Sequence, residues 1–80
     1  MKRSEIKNGV AELLSITVGR PITGNESITR ESEPTWDSLK HVQLILMLEE
    51  RFGVQFSEEE MAGLRDSDEI ARAIEKKSEA

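Results

Sequence analysis

The chain contains no cysteine and no tyrosine, and it has one histidine (His41) and one tryptophan (Trp36) among 80 residues. Without cysteine there is no disulfide framework, thiolate nucleophile or cysteine-ligated zinc site. A single histidine in so short a chain argues against a Ser-His-Asp hydrolase, which needs a substrate cleft built around its base. Positive charge is also scarce. Eleven basic residues face sixteen acidic ones, a formal net charge of −5. A cationic surface is required to displace counterions from phosphates, so nucleic acid is not an expected partner. An anionic membrane surface is disfavoured for the same reason. The longest apolar run, Leu44 to Leu48, is far too short to span a bilayer. The charged start, Met1 to Asn8, is followed by no apolar stretch, so a secretory signal is not expected and a cytoplasmic location is. What remains is one small acidic domain over residues 1–80 that acts through another protein.

What is present is helical periodicity. Ile6, Val10, Leu13 and Leu14 recur as one face of an amphipathic helix over about 4–17, with Ser4 as its expected N-cap. Gly9 weakens that helix by ~1 kcal/mol relative to alanine. Residues 19–37 form a long connection rich in Gly, Pro, Ser, Thr and Glu, with Ile28 and Trp36 as natural anchors onto a core. A second helix is predicted over 38–52, opened by Asp37 and Ser38 and closed by Gly53. At ~100° per residue it carries two apolar stripes. His41, Leu44, Ile45, Leu48 and Phe52 fall on one side. Leu39, Val42 and Leu46 fall on the other, flanked by Gln43, Glu49 and Glu50. The first stripe can face a core. The second is either exposed or covered by the loop. Ser57 and Glu60 form a capping box that opens a short helix over about 58–64, and Asp66 to Glu69 open a last helix over about 67–77. The expected fold is therefore all-α, a small four-helix bundle of three main helices and one short one, with a long first loop. The expected core is Ile6, Val10, Leu13, Leu14, Leu44, Ile45, Leu48, Phe52, Phe56, Leu64, Ile70 and Ile74. The last helix has few large apolar groups and is expected to be the most loosely held.

Asp37-Ser38-Leu39 is the segment with most chemical content. A serine at a helix N-terminus lies where backbone N–H groups lack partners and the macrodipole is positive, so an anionic group carried on its hydroxyl is stabilised there. Ser38 can equally be a simple N-cap, and Asp37 can fill that role too.

The stretch Trp36-Asp37-Ser38-Leu39 through Leu48-Glu49-Glu50-Arg51-Phe52 resembles the acyl carrier protein signature: Asp-Ser-Leu opening a helix, a leucine-rich body and a Leu-Glu-Glu-x-Phe close. The resemblance continues through Gly53 to Phe56, the acidic Ser57 to Glu60, Leu64, and Ile70 to Ile74, covering most of residues 36–77. It implies that Ser38 carries 4′-phosphopantetheine, transferred from coenzyme A by a phosphopantetheinyl transferase using Mg²⁺. The arm's thiol would hold an acyl group as a thioester, so the chain needs no cysteine and no catalytic residue of its own. Asp37 would help orient the transferase and its metal. Leu39, Val42 and Leu46 would meet acyl-activating and acyl-transferring or synthase enzymes, and Glu49 and Glu50 would meet their basic patches. A monomeric, non-enzymatic carrier in fatty acid, polyketide or a more specialised biosynthesis is what this resemblance implies.

Two departures bear on that expectation. The family's usual glycine before the Asp-Ser-Leu segment is absent, and Trp36 stands immediately before Asp37. Lys40, His41 and Gln43 occupy positions that are often more acidic in fatty-acid carriers. Trp36 reads as a loop anchor over the core or as a partner contact, and the change at Lys40, His41 and Gln43 weakens the match to standard fatty-acid synthase partners and suggests a specialised carrier with a few dedicated enzymes. An aminoacyl, peptidyl or hydroxyacyl cargo stays open, as does a different class altogether, an unmodified helical adaptor that binds protein through Leu39, Val42 and Leu46. His41 reads as a partly buried, hydrogen-bonded residue that could flank the mouth of an acyl pocket. Asp66-Ser67-Asp68 lacks the ligand spacing and glycine of a calcium loop and reads as helix capping. Glu58 to Glu60 read as a solvated first turn rather than a metal site.

Overall fold

A computed structural model describes residues 2–79, and four helices account for most of them: α1 (Arg3–Val18), α2 (Ser38–Phe52), α3 (Glu58–Gly63) and α4 (Ser67–Glu79). The described residues contain no strand. The expected helices are all present, with ends displaced by one or two residues from the periodicity. Their termini follow from local chemistry. Asp37 caps α2, accepting a hydrogen bond from the Lys40 backbone N–H at 2.9 Å. Ser57 and Glu60 make both bonds of the capping box on α3. Asp66 accepts from the Glu69 N–H at 2.7 Å at the start of α4. Ser4 is not the cap of α1. It lies inside the helix, and the residue in the cap position, Lys2, makes no side-chain capping bond. An exposed first turn can leave its free N–H groups to water, so no side-chain cap is required there.

α1 packs against both α2 and α4. It runs antiparallel to α2. The Thr35 hydroxyl, just before α2, donates to the Val18 carbonyl at the end of α1, and Phe52 at the end of α2 lies on Gly9 in the middle of α1. Gly9 is buried because Phe52 uses the missing side chain: a Cβ there would meet the Phe52 ring tip at 2.7 Å. The helix-propensity cost of Gly9 is thus tied to a close helix–helix approach. At the opposite face, Arg3 of α1 pairs with Glu75 of α4.

The core joins α1, α2 and α4 with the loop. The expected core residues are buried except Phe52 and Phe56, which are half-buried at its edge. Phe52 at the end of α2 and Phe56 in the connection to α3 pack against the core from its rim. The expectation that the last helix is the most loosely held is not met: Ser67, Ile70, Ala71 and Ile74 of α4 are buried, because two isoleucines one turn apart suffice to seat it on α1, whereas α3 buries no residue. Lys77 adds a reach to the neighbouring elements, pairing with Glu60 of α3 at 2.7 Å and lying over the Phe56 ring.

The long loop is pinned rather than draped. Ile22, Ile28 and Trp36 are all buried. The Ser15 hydroxyl accepts from the Ile22 N–H, Ile28 exchanges two hydrogen bonds with Ser67, and the Arg30 N–H donates to the Arg65 carbonyl. Arg20 ties the loop internally through Glu26 and Glu33. The loop's apolar groups are spent on the core, which leaves none to cover the second stripe of α2.

Gly53 closes α2 at φ +65°, with open space where a Cβ would stand. Gly53→Ala is therefore expected to lose about 1 kcal/mol through backbone strain alone. Urea denaturation should show a lower midpoint with an unchanged slope.

Candidate functional site at the start of the second helix

The capping role of Asp37 decides the state of Ser38. With the cap supplied by the preceding carboxylate, Ser38 is the first residue of α2, it is exposed, and its hydroxyl makes no hydrogen bond among the described residues. The Lys40 N–H is taken by Asp37, and the His41 N–H by the Asp37 carbonyl. The N–H groups of Ser38 and Leu39 have no intrahelical acceptor, as at every helix start. An oxyanion attached to the Ser38 Oγ would lie at this positive helix end, and nothing already occupies the hydroxyl.

The second stripe of α2 is uncovered. Leu39 is 67% exposed, Val42 44% and Leu46 59%, on the face opposite Leu44 and Leu48, both wholly buried. Glu50 is exposed beside them. Glu49 behaves differently. It is half-buried, and its carboxylate accepts a hydrogen bond at 2.8 Å from the Phe56 N–H, which fixes the connection between α2 and α3. The two glutamates, adjacent in sequence, thus divide between a structural bond and open surface.

His41, one turn after Ser38, points into the protein and is 4% exposed. Its Nδ1 accepts the Trp36 indole N–H at 3.0 Å, and its Nε2 lies 2.8 Å from the Met61 carbonyl of α3. An indole nitrogen can only donate, so Nδ1 carries no proton and the neutral ring donates from Nε2 to Met61. Trp36 itself is 2% exposed, and its carbonyl accepts from Arg30 Nε. This chain ties the loop, α2 and α3 together at the Ser38 end of the core. The sequence placed both residues near the core but gave no sign of their pairing. The one available signal was that the only indole donor and the only imidazole lie at the same helix start.

Beside Trp36 there is a cavity of about 450 Å³ lined by Thr29, Arg30, Glu31, Arg65 and Asp66 as well as the indole. Its rim carries both guanidinium and carboxylate groups. Among the described residues no group of three or more potential ligands could hold a metal ion, and no helix is long and apolar enough to cross a membrane. Compared with known proteins, the chain matches no family model, no curated sequence and no solved structure.

Two predictions follow from this geometry. Asp37→Ala should destabilise the protein by about 1 kcal/mol through loss of the cap, whereas Asp37→Asn should cost much less; urea midpoints measure both. The second concerns acidity. Burial lowers the His41 pKa from the ordinary 6.5, the hydrogen bond to Met61 opposes this, and the positive charge of Arg30 adds to the lowering. The unfolded chain therefore binds the proton more tightly than the folded one. The stability from neutral His41 is present above the unfolded value of 6.5 and is lost as pH falls from there through the lower folded value. Urea midpoints should accordingly drop more between about pH 7.5 and 5.5 in the parent than in His41→Gln, which has no proton to gain.

Proposed function

We propose that the protein is an acyl carrier that holds its cargo on 4′-phosphopantetheine attached to Ser38 and presents it to partner enzymes through α2. The observation that carries this reading is the division of roles at the helix start: Asp37 makes the cap, and the Ser38 hydroxyl is left exposed and without a hydrogen bond. A serine serving as a cap would have its oxygen committed to the backbone. The helix N-terminus favours the negative charge that a phosphodiester would bring. When bound, the prosthetic group would supply a thiol on a long arm, the reactive sulfur that this cysteine-free chain lacks.

The chain's own residues would do the rest. Asp37 holds the helix start and stands beside the hydroxyl, where it would help orient a phosphopantetheinyl transferase and its metal. Leu39, Val42 and Leu46 offer an uncovered apolar strip directly after the attachment point. Glu50 adds an exposed negative charge, and complementary charge on a partner would speed encounter and set orientation. Glu49 contributes chiefly by fixing the end of the helix that carries the strip. The resemblance of residues 36–77 to acyl carrier proteins supports the same reading, and partners would be acyl-activating, acyl-transferring or synthase enzymes.

Incubation with coenzyme A, Mg²⁺ and a promiscuous phosphopantetheinyl transferase should raise the intact mass by one phosphopantetheine unit. Ser38→Ala should show no gain. No gain in the parent across several transferases, with the protein folded, would sink the proposal and leave a protein-binding adaptor acting through the same strip. Leu46→Ser should leave stability within about 0.5 kcal/mol, as for other exposed positions, while slowing modification or later acyl loading.

A further inference from the structure

Cargo tethered at Ser38 has two destinations, the interior of the bundle or the outside. Trp36 and His41 are the buried residues nearest Ser38 on either side of it in the sequence, with residues 37–40 between them exposed. The part of the interior next to the attachment point therefore carries polar atoms and not aliphatic side chains alone. Trp36 and His41 are both nearly inaccessible, with their rings 5.9 Å apart. Each polar atom in the chain from Trp36 Nε1 through the imidazole to the Met61 carbonyl is matched, and no buried side-chain nitrogen or oxygen among the described residues lacks a partner. An alkyl chain wedged there offers no donor or acceptor. It would strand the buried indole N–H and Nδ1 without partners and break the part-buried bond to the Met61 carbonyl.

We propose that Trp36, His41 and the Met61 carbonyl form a polar plug at the Ser38 end of the core that keeps tethered cargo outside the bundle, so that this carrier takes short or polar acyl units and not long alkyl chains. The inference rests on the carrier reading and specifies its substrate class. An alkyl chain left outside exposes more apolar surface to water with each methylene, whereas a hydroxylated, amino or carboxylated unit does not. The cavity beside Trp36 agrees with this selection. Arg30, Arg65, Glu31 and Asp66 in its lining present charge of both signs, which suits a polar unit.

The test uses the absence of cysteine. Ser38→Cys places a single thiol at an exposed position, and alkyl methanethiosulfonates of increasing length then attach methyl to decyl chains there by a disulfide. The one indole N–H resonance reports the Trp36–His41 bond directly, and the methyl resonances of Ile45 and Leu48 report the interior. The expected result is an indole resonance and interior methyl resonances that do not move with chain length, with any changes confined to Leu39, Val42 and Leu46. An indole or interior methyl shift that grows with chain length overturns the plug. The series needs no transferase. Failure of the natural Ser38 to gain mass therefore counts against the carrier reading, whereas a moving indole resonance counts against the plug.

Discussion

Two buried backbone and side-chain groups from distant segments, the Trp36 indole N–H and the Met61 carbonyl, end on the two nitrogens of one imidazole. The neutral Nε2-protonated form of His41 satisfies both at once. Protonation would turn Nδ1 from an acceptor into a donor facing another donor. The long loop, the start of α2 and the short α3 therefore share one protonation state. α3 depends on this bond more than its neighbours do, since it buries no residue fully and is otherwise held by Met61, Leu64 just after it, and the Lys77–Glu60 pair. Interior hydrogen bonds of this kind have modest net value when made and a large penalty when only one partner remains. The geometry around Ser38 inherits that all-or-none character.

The same helix start gives two adjacent residues different states, one bonded to the backbone and one free of any such bond. Asp37 takes on the orphan N–H of Lys40, so Ser38 has no structural duty. The separation continues along α2 in a different form, with one face sealed by Leu44 and Leu48 and the opposite face open at Leu39, Val42 and Leu46. A helix that is apolar on two sides in a chain of this size has to leave one side uncovered unless the loop lies over it. The loop does not, because Ile22, Ile28 and Trp36 turn inward and its backbone is bonded to Ser15, Ser67 and Arg65.

Features set by neighbouring residues were legible in the sequence. The Ser57–Glu60 box, the Asp37 start, the Gly53 stop and the two stripes of α2 each arise within one or two turns of chain. Ser4 fits the pattern of a cap, but a solvent-exposed helix start tolerates an uncapped N-terminus, and local patterning cannot tell that case from a capped one. Periodicity directs Phe52 and Phe56 toward the core but gives no depth, and both lie at its rim. The Trp36–His41–Met61 chain has no sequence signal beyond the shared helix start of its two rings, and the Glu49–Phe56 bond has none. Both join a side chain to a partner across a change of backbone direction, where no residue spacing applies. The sequence leaves Ser38 and Asp37 both open as the cap of α2, and the bond from the Lys40 N–H to the Asp37 carboxylate decides between them.

The way the loop is fastened has a kinetic meaning. Ile28 meets Ser67 across 39 positions of sequence and Ser27 meets Asp68 across 41, although most contacts in a helical bundle are local. The entropy of closing so long a segment is spent before those bonds return anything. α1 and α2 can form by short-range contacts, and the ends of the loop join them locally, Ile22 at Ser15 and Trp36 at His41, but its middle seats only when the start of α4 arrives. Folding should therefore be slower than for a bundle of this size with short connections, with the seating of residues 27–30 among the last events and their release among the first on unfolding.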